Sequence, residues 1–305
     1  MHKTHDNIPI IISELAVKAL LYEVSATPKP GLVDRANNGA HRDMDFYTFI
    51  DSSVGLGQYF SEIVHLILDK YEDRSDPEIY LAPNAFFSDL QALGIEAERK
   101  MFKVTNHVNT HKGAIYALGL ITCAVSEWLC IHKERPQSPD IFIKEITDRV
   151  GVYIQPVLTE QFSKVKEAHT YGEAQYRTLG LTGARGEAAS GYMNARKWGL
   201  PVIEEALNKG VSLNDALIQA LLVLMCHLED SNVIGRHDYK TLELSQAKAK
   251  SVIDAGGVYT ASGRHAIQQY DLWCIENYIS HGGCADLLAV SLYLKLLSDK
   301  FYDKN

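Results

Sequence analysis

The sequence predicts an all-α fold: one multi-helix domain with buried central helices and a polar cleft formed by helix ends and loops. Three observations carry this. Apolar residues recur three and four positions apart along almost the whole chain, while the alternation of a half-buried strand is scarce. Proline, glycine and small polar clusters interrupt the pattern at intervals of helical length. No low-complexity segment, internal repeat or long linker marks a boundary, so residues 1–305 read as a single all-helical domain.

The elements follow in order. Ile12, Leu15, Ala16, Ala19 and Leu20 form one stripe, which ends before Thr27-Pro28-Lys29-Pro30-Gly31. Phe46 to Leu68 is expected to form one long helix, followed after the polar stretch Tyr71 to Pro77 by another from Phe86 to Lys103. Gly113 to Ile131 is apolar enough to be buried, and Asp140 to Tyr153 is amphipathic. In the second half, Ala184 to Lys197 is rich in helix formers and ends near Gly199 and Pro201; Pro201 to Asn208 stops at Gly210. Ser212-Leu213-Asn214-Asp215 offers an N-cap for Ala216 to Leu228, which is apolar almost all round and so expected at the centre. Thr241 to Ala255, Ala261 to Ser280 and Gly283 to Tyr302 complete the series.

Composition removes several function classes. Hydrophobic residues make up 46% and charged residues 22% of the chain, which excludes wholesale disorder. A formal charge of -8 and a pI near 5.8 argue against general affinity for nucleic acid or an anionic membrane. The apolar runs Gly113 to Val125 and Ala220 to Cys226 fall short of the roughly 18 residues of a spanning helix. The N-terminus lacks the apolar block of a signal peptide. Five cysteines without a Cys-x-x-Cys pair suit a reducing compartment, so the expected location is the cytoplasm. Neither a P-loop nor a Rossmann glycine pattern is present, and Val108 stands between His107 and His111 where a zincin needs Glu. A nucleotide site would therefore be built from helix ends and loops.

Five polar segments, each joined to a helix, are candidates for that site, because helix N-termini offer unpaired N–H groups to anions. In the first, prolines flank Lys29 and fix its direction. Asp43 and Asp45 suit a hard divalent cation, although Asp45 equally suits the cap of the helix opening at Phe46. In the second, Asn109 or Thr110 caps a helix whose first turn holds His111 and Lys112; cations there oppose the macrodipole unless an anion lies between them. In the third, from Gly180 to Gly191, Gly183 and Gly186 allow close backbone approach and Arg185 can fork onto phosphate. Glu187 reads as metal ligand, general base or first-turn acid. The fourth, Glu229 to Asp238, places Asp230 where it needs a cation, a capping role or solvent, with Arg236 nearby. The fifth, Ser280 to Leu288, is a glycine turn with Asp286 near a helix start.

These blocks also carry a resemblance. Pro28-Lys29-Pro30-Gly31-Leu32-Val33-Asp34, Gly39-Ala40-His41-Arg42-Asp43-Met44-Asp45, Asn109-Thr110-His111-Lys112-Gly113-Ala114, Gly183-Ala184-Arg185-Gly186-Glu187-Ala188 and Gly282-Gly283-Cys284-Ala285-Asp286-Leu287-Leu288 resemble the triphosphoribosyl-dephospho-CoA synthase family. The match runs in order over nearly the whole chain, with departures at His281, Cys284 and Gly235-Arg236-His237-Asp238.

The resemblance implies transfer of the 5-triphosphoribosyl group of ATP to the 2′-hydroxyl of 3′-dephospho-CoA, with release of adenine. It implies Mg²⁺ as cofactor and a product handed to a holo-acyl-carrier-protein synthase of citrate lyase or malonate decarboxylase. Chemically this is displacement at an anomeric carbon with an oxocarbenium-like transition state, by analogy with glycoside hydrolysis. On that reading Lys29, His111, Lys112 and Arg185 are the expected triphosphate cations. Asn109, Gly183, Gly186 and Arg236 add further phosphate contacts. Asp43, Asp230 and Asp286 are candidates for Mg²⁺, and Glu187, then Asp230, for the base. Two alternatives use the same residues: a metal-dependent hydrolase of ADP-ribosyl or nucleotide bonds, and a non-enzymatic ATP-sensing module.

Overall fold

The computed structural model describes residues 7–302 except 73, 75, 77–78, 133, 135 and 165–181, and leaves the side chains of 159–164 undescribed. Gly180 and Leu181, the start of the third candidate segment, lie outside the described residues. Every regular element among the described residues is helical.

The first half holds α1 (Ile8–Ser25), α2 (Phe46–Gly55), α3 (Gly57–Glu72), α4 (Phe87–Val104), α5 (Lys112–Ile131) and α6 (Pro139–Lys164). The second holds α7 (Gly183–Ala189), α8 (Leu200–Asn208), α9 (Leu213–His227), α10 (Ser231–Arg236), α11 (Tyr239–Asp254), α12 (Ala261–Glu276) and α13 (Gly282–Tyr302). The core centres on α13, which packs on both α5 and α9. Every residue from Ala117 to Trp128 and from Leu287 to Leu294 is buried. Helix α1 packs on α3 and α13, α5 on α3, α6 and α13, and α9 on α8, α11 and α13. A continuous apolar core links both halves of the chain.

By length and composition α5 could cross a membrane, contrary to the expectation that its apolar run is too short; 78% of its apolar window is buried inside the fold, as in a core helix. Glu127 of α5 has no exposed surface and is held by Arg149 Nε at 2.8 Å, Tyr71 at 3.1 Å and the Tyr153 hydroxyl. A buried charge demands such partners, and here they join α5 to α3 and α6.

Several boundaries differ from expectation. Phe46 to Leu68 divides at the buried Leu56, between Gly55 and Gly57, because two glycines weaken a helix on either side of one residue. The expected Ala184 to Lys197 helix also breaks. Gly191 and Tyr192 take left-handed φ values of 66° and 54°, and a π turn at Ala195–Gly199 leads into α8. Helix α6 continues to Lys164 with Pro156 inside it, and α12 stops at Glu276 rather than Ser280.

Candidate active site

The loop between α1 and α2 is fixed largely by one carboxylate. Asp34, 2% exposed, accepts from Thr27 Oγ1 at 2.8 Å, Lys29 N at 2.8 Å, Ala36 N at 2.6 Å and Asn37 N at 3.0 Å. Asp271 of α12 joins in, accepting from Gly31 N at 2.9 Å and Asn37 Nδ2 at 3.0 Å. Gly31, at φ +70°, approaches the carbonyl of Ile279 so closely that a β-carbon would fall 2.3 Å from that oxygen. The loop is thereby docked on the approach to α13.

Lys29 is 2% exposed, and its Nζ lies 2.5 Å from Oε1 of Glu23, in the last turn of α1. Burial raises the Glu23 carboxyl against the pull of Lys29. The ammonium expected to serve triphosphate is therefore already balanced by an acid inside the protein. Asp45 takes its capping alternative: its side chain accepts from Thr48 N in a reciprocal capping box.

The N-cap of α5 is His111, without a side-chain cap, rather than Asn109 or Thr110; Asn109 Oδ1 still accepts from Lys112 N at 3.2 Å. His111 does not supply a positive charge. Burial, aided by the nearby Lys29 charge, lowers its pKa to about 3, so the ring is neutral at physiological pH. Thr110 Oγ1 donates to Ser52 Oγ at 2.8 Å, and Ser52 Oγ lies 2.7 Å from His111 Nδ1. With Thr110 donating, the Ser52 proton goes to Nδ1, which puts the ring proton on Nε2. That Nε2 is buried without a hydrogen-bond partner among the described residues.

Three cavities meet at Lys112 and Gly113. The first, of about 130 Å³, is polar. Lys29, Glu23, His41, Asn109, His111, Lys112, Asn232, Arg236 and Asp286 line it. The third, of about 770 Å³, is lined by Gly183, Gly186, Glu187, Asn194, Glu229 and Gly283, and shares Asn109, Lys112, Asn232 and Asp286 with the first. The second, of about 530 Å³, has an apolar wall including Phe87, Leu90, Tyr116 and Ile154, with Arg185 and Lys112 at its polar side. Lys29, Lys112, Arg185 and Glu187 thus line neighbouring cavities that share Lys112 and Gly113.

Lys112 is 55% exposed at this junction and pairs with Glu98 at 3.0 Å. Arg236 ends α10, exposed and close enough to His41 to help burial lower that imidazole. Glu187 of α7 accepts from Asn194 N at 3.4 Å and from Asn194 Nδ2. Burial raises its carboxyl, and these two hydrogen bonds partly oppose the rise. Asp286 is the fifth residue of α13, just past its first turn. Burial, then the charges of Glu23 and Asp230, push its carboxyl well above the ordinary range.

Two metal expectations are corrected by position. Asp43 is 64% exposed, lies 3.8 Å from His41 Nδ1 and does not line the cavities. Asp230 has no exposed surface: Oδ1 accepts from Asn232 N at 2.9 Å as the cap of α10, and Oδ2 from Cys284 N at 2.9 Å. Enclosed and lining none of the cavities, Asp230 is out of reach of a substrate hydroxyl, which removes it as second base. Its neighbours are a thiol and an imidazole, donors that do not suit Mg²⁺.

Sequence reasoning missed Glu23, His41, Asn232 and Ser280, all lining the polar cavity. A signal existed for Glu23, an acid near the C-terminal end of a helix and six residues before Lys29.

Among known proteins, the family profile described as CitG, ATP:dephospho-CoA triphosphoribosyl transferase, matches residues 11–305. A Vibrio cholerae protein named probable 2-(5′′-triphosphoribosyl)-3′-dephosphocoenzyme-A synthase is 39% identical over 287 residues, covering 93% of this chain and 87% of the relative. Proteins of the same name from Streptococcus mutans and Pectobacterium carotovorum are 36% and 37% identical, covering 94% and 95% of the chain and 96% and 89% of the relatives. No solved structure matches the chain.

Proposed function

The chain belongs to the ATP:dephospho-CoA triphosphoribosyl transferase family, and on that premise we propose how its own residues carry out the transfer. The enzyme moves the 5-triphosphoribosyl group of ATP to the 2′-hydroxyl of 3′-dephospho-CoA. A C–O bond forms at the anomeric carbon, the bond from that carbon to adenine N9 breaks, and adenine leaves with the electron pair. The hydroxyl proton needs an acceptor, and the departing purine needs a hydrogen-bond donor.

The observation that carries the assignment is the junction at Lys112 and Gly113, where a polar chamber, a large chamber and an apolar-walled chamber share one helix N-terminus. Triphosphate would lie there, against Lys112, Arg236, Asn109 and the N–H of Gly113 at the start of α5, with Arg185, Gly183 and Gly186 bordering the adjoining spaces. Lys29 holds Glu23 and shapes the inner wall instead of meeting phosphate directly. Glu187 is the base: it lines the largest chamber, and its raised carboxyl is a better proton acceptor than an ordinary glutamate. His111, a neutral imidazole that lines the polar chamber, would supply an N–H donor suited to a purine nitrogen or a ribose oxygen.

Mg²⁺ fits at Asp286, a hard carboxylate beside the amide side chains of Asn109 and Asn232, and there it would neutralise triphosphate charge. The product would be the prosthetic-group precursor for the acyl carrier protein of citrate lyase or malonate decarboxylase, passed on in the cytoplasm to a holo-acyl-carrier-protein synthase.

Mass spectrometry of the purified chain with ATP, Mg²⁺ and 3′-dephospho-CoA tests the scheme. We expect the triphosphoribosyl adduct and free adenine in equal amounts, and Lys112→Ala to raise the KM for ATP about tenfold or more. Adenine released without the acceptor would mean a hydrolase instead. ATP binding without any product would mean a sensing module.

A further inference from the structure

Outside the cavities, Asp230, His281 and Cys284 gather where the start of α10 meets the start of α13. All three have no exposed surface, and one potential ligand atom from each lies within 4.8 Å of the others. His281 Nε2 is engaged, 2.8 Å from Ser245 Oγ and 3.2 Å from the Tyr270 hydroxyl. Ser245 Oγ and Tyr270 are 2.8 Å apart, and Tyr270 donates to the Ser245 carbonyl at 3.2 Å. A relay from Nε2–H to Ser245, to Tyr270 and on to that carbonyl gives every proton an acceptor. It leaves His281 Nδ1 with a free lone pair. Nδ1 is buried and has no hydrogen-bond partner among the described residues.

An imidazole with one nitrogen orphaned, gathered with a thiol and a carboxylate, is a costly arrangement for a dry interior unless something joins them. We propose that Asp230, His281 and Cys284 form a binding site for a thiophilic divalent metal ion of the Zn²⁺ class, separate from the Mg²⁺ position at Asp286. The donor set is one nitrogen, one sulfur and one oxygen, which selects Zn²⁺ or Co²⁺ over Mg²⁺. Bond lengths of about 2.0–2.3 Å would draw the three side chains together by small rotations. The ion takes the place of the Cys284 thiol proton, which passes to solvent, so the uptake is a proton exchange without redox change. Ser245 and Tyr270 orient the imidazole from behind, the usual second partner of a metal-bound histidine. Metal here pins α10 to α13 beneath Asn232 and Gly283, which line the polar and large cavities.

The test uses the full chain, stripped of metal by dialysis against chelator and titrated with Co²⁺ alone. The expected result is a near-ultraviolet thiolate-to-cobalt absorption that saturates at about one equivalent and is displaced by Zn²⁺. Cys284→Ser should abolish it while Cys226→Ser retains it, and Ser245→Ala should weaken Co²⁺ binding about 10–100-fold. Wild-type protein that gives no such band overturns the proposal, as does a band that survives in Cys284→Ser. If Cys284→Ser does not fold, His281→Gln decides: unchanged Co²⁺ affinity in that variant overturns the site as well.

Discussion

Asp286 and Gly113 touch: a β-carbon on Gly113 would fall 1.9 Å from Oδ2 of Asp286. The acid of one helix start is thus pressed against the start of another, and α5 can begin there only without a side chain. The contact also explains why Asp286 resists ionisation, since protein replaces water around it and its neighbouring acids repel its charge.

That carboxyl makes a stability prediction with a definite sign. A group whose pKa is raised on folding contributes its stability below the unfolded value, and loses it as pH rises through the folded value. At neutral pH Asp286 is therefore a net burden in the free protein. Asp286→Asn should raise Tm at pH 7 by roughly 2 °C for each kcal/mol relieved, with the gain gone below about pH 4. The same variant should lose about 100-fold or more in transfer rate. Calorimetry at both pH values, set beside turnover, checks it; a lower Tm at pH 7 would contradict the burden.

Glu187 predicts a pH profile. As a base it must be ionised, so kcat should climb with pH through a value above the ordinary glutamate range. Glu187→Gln should bind ATP but turn over about 10²–10⁴-fold more slowly. Asn194 hydrogen bonds hold the carboxyl down, so Asn194→Ala should move the acidic limb to higher pH. A limb that stays in place in Asn194→Ala would detach it from Glu187.

The pair of Glu23 and Lys29 predicts a non-additive pair of variants. Lys29→Met strands a buried acid and should cost about 3–5 kcal/mol at neutral pH. Because burial already favours protonated Glu23, the loss should shrink as pH falls toward the carboxylate range. Adding Glu23→Gln should restore most of the stability, which urea denaturation of the single and double variants would show. A double-variant loss equal to the sum of the two single losses would mean the pair is uncoupled.

The helices were legible wherever the apolar spacing was long and uninterrupted, as in α5, α9 and α13, and the cap at Asp45 followed from its chemistry, whereas packing picks Ser212 out of the Ser212-to-Asp215 segment. What the sequence did not carry was burial of individual polar groups. His111 looked like a cation because its position in a first turn was visible, whereas the enclosure that keeps it neutral comes from α2 and Lys29, far away in the chain. Asp230 looked like a Mg²⁺ ligand, but α13 supplies the N–H that occupies it, 54 residues on. The convergence of Lys112, Asp286 and Glu187 was expected from their local character, yet only tertiary packing determines which chamber each one faces.

The four donors clasped by Asp34 have a consequence for binding. A cavity-lining loop that floated freely would have to be frozen by each incoming ligand, at about 1–2 kcal/mol of backbone entropy per residue. Here the freezing happens once, during folding, and a buried aspartate rather than the ligand maintains it. A ligand entering the polar cavity would therefore meet a preorganised wall, with less ordering left to oppose its binding.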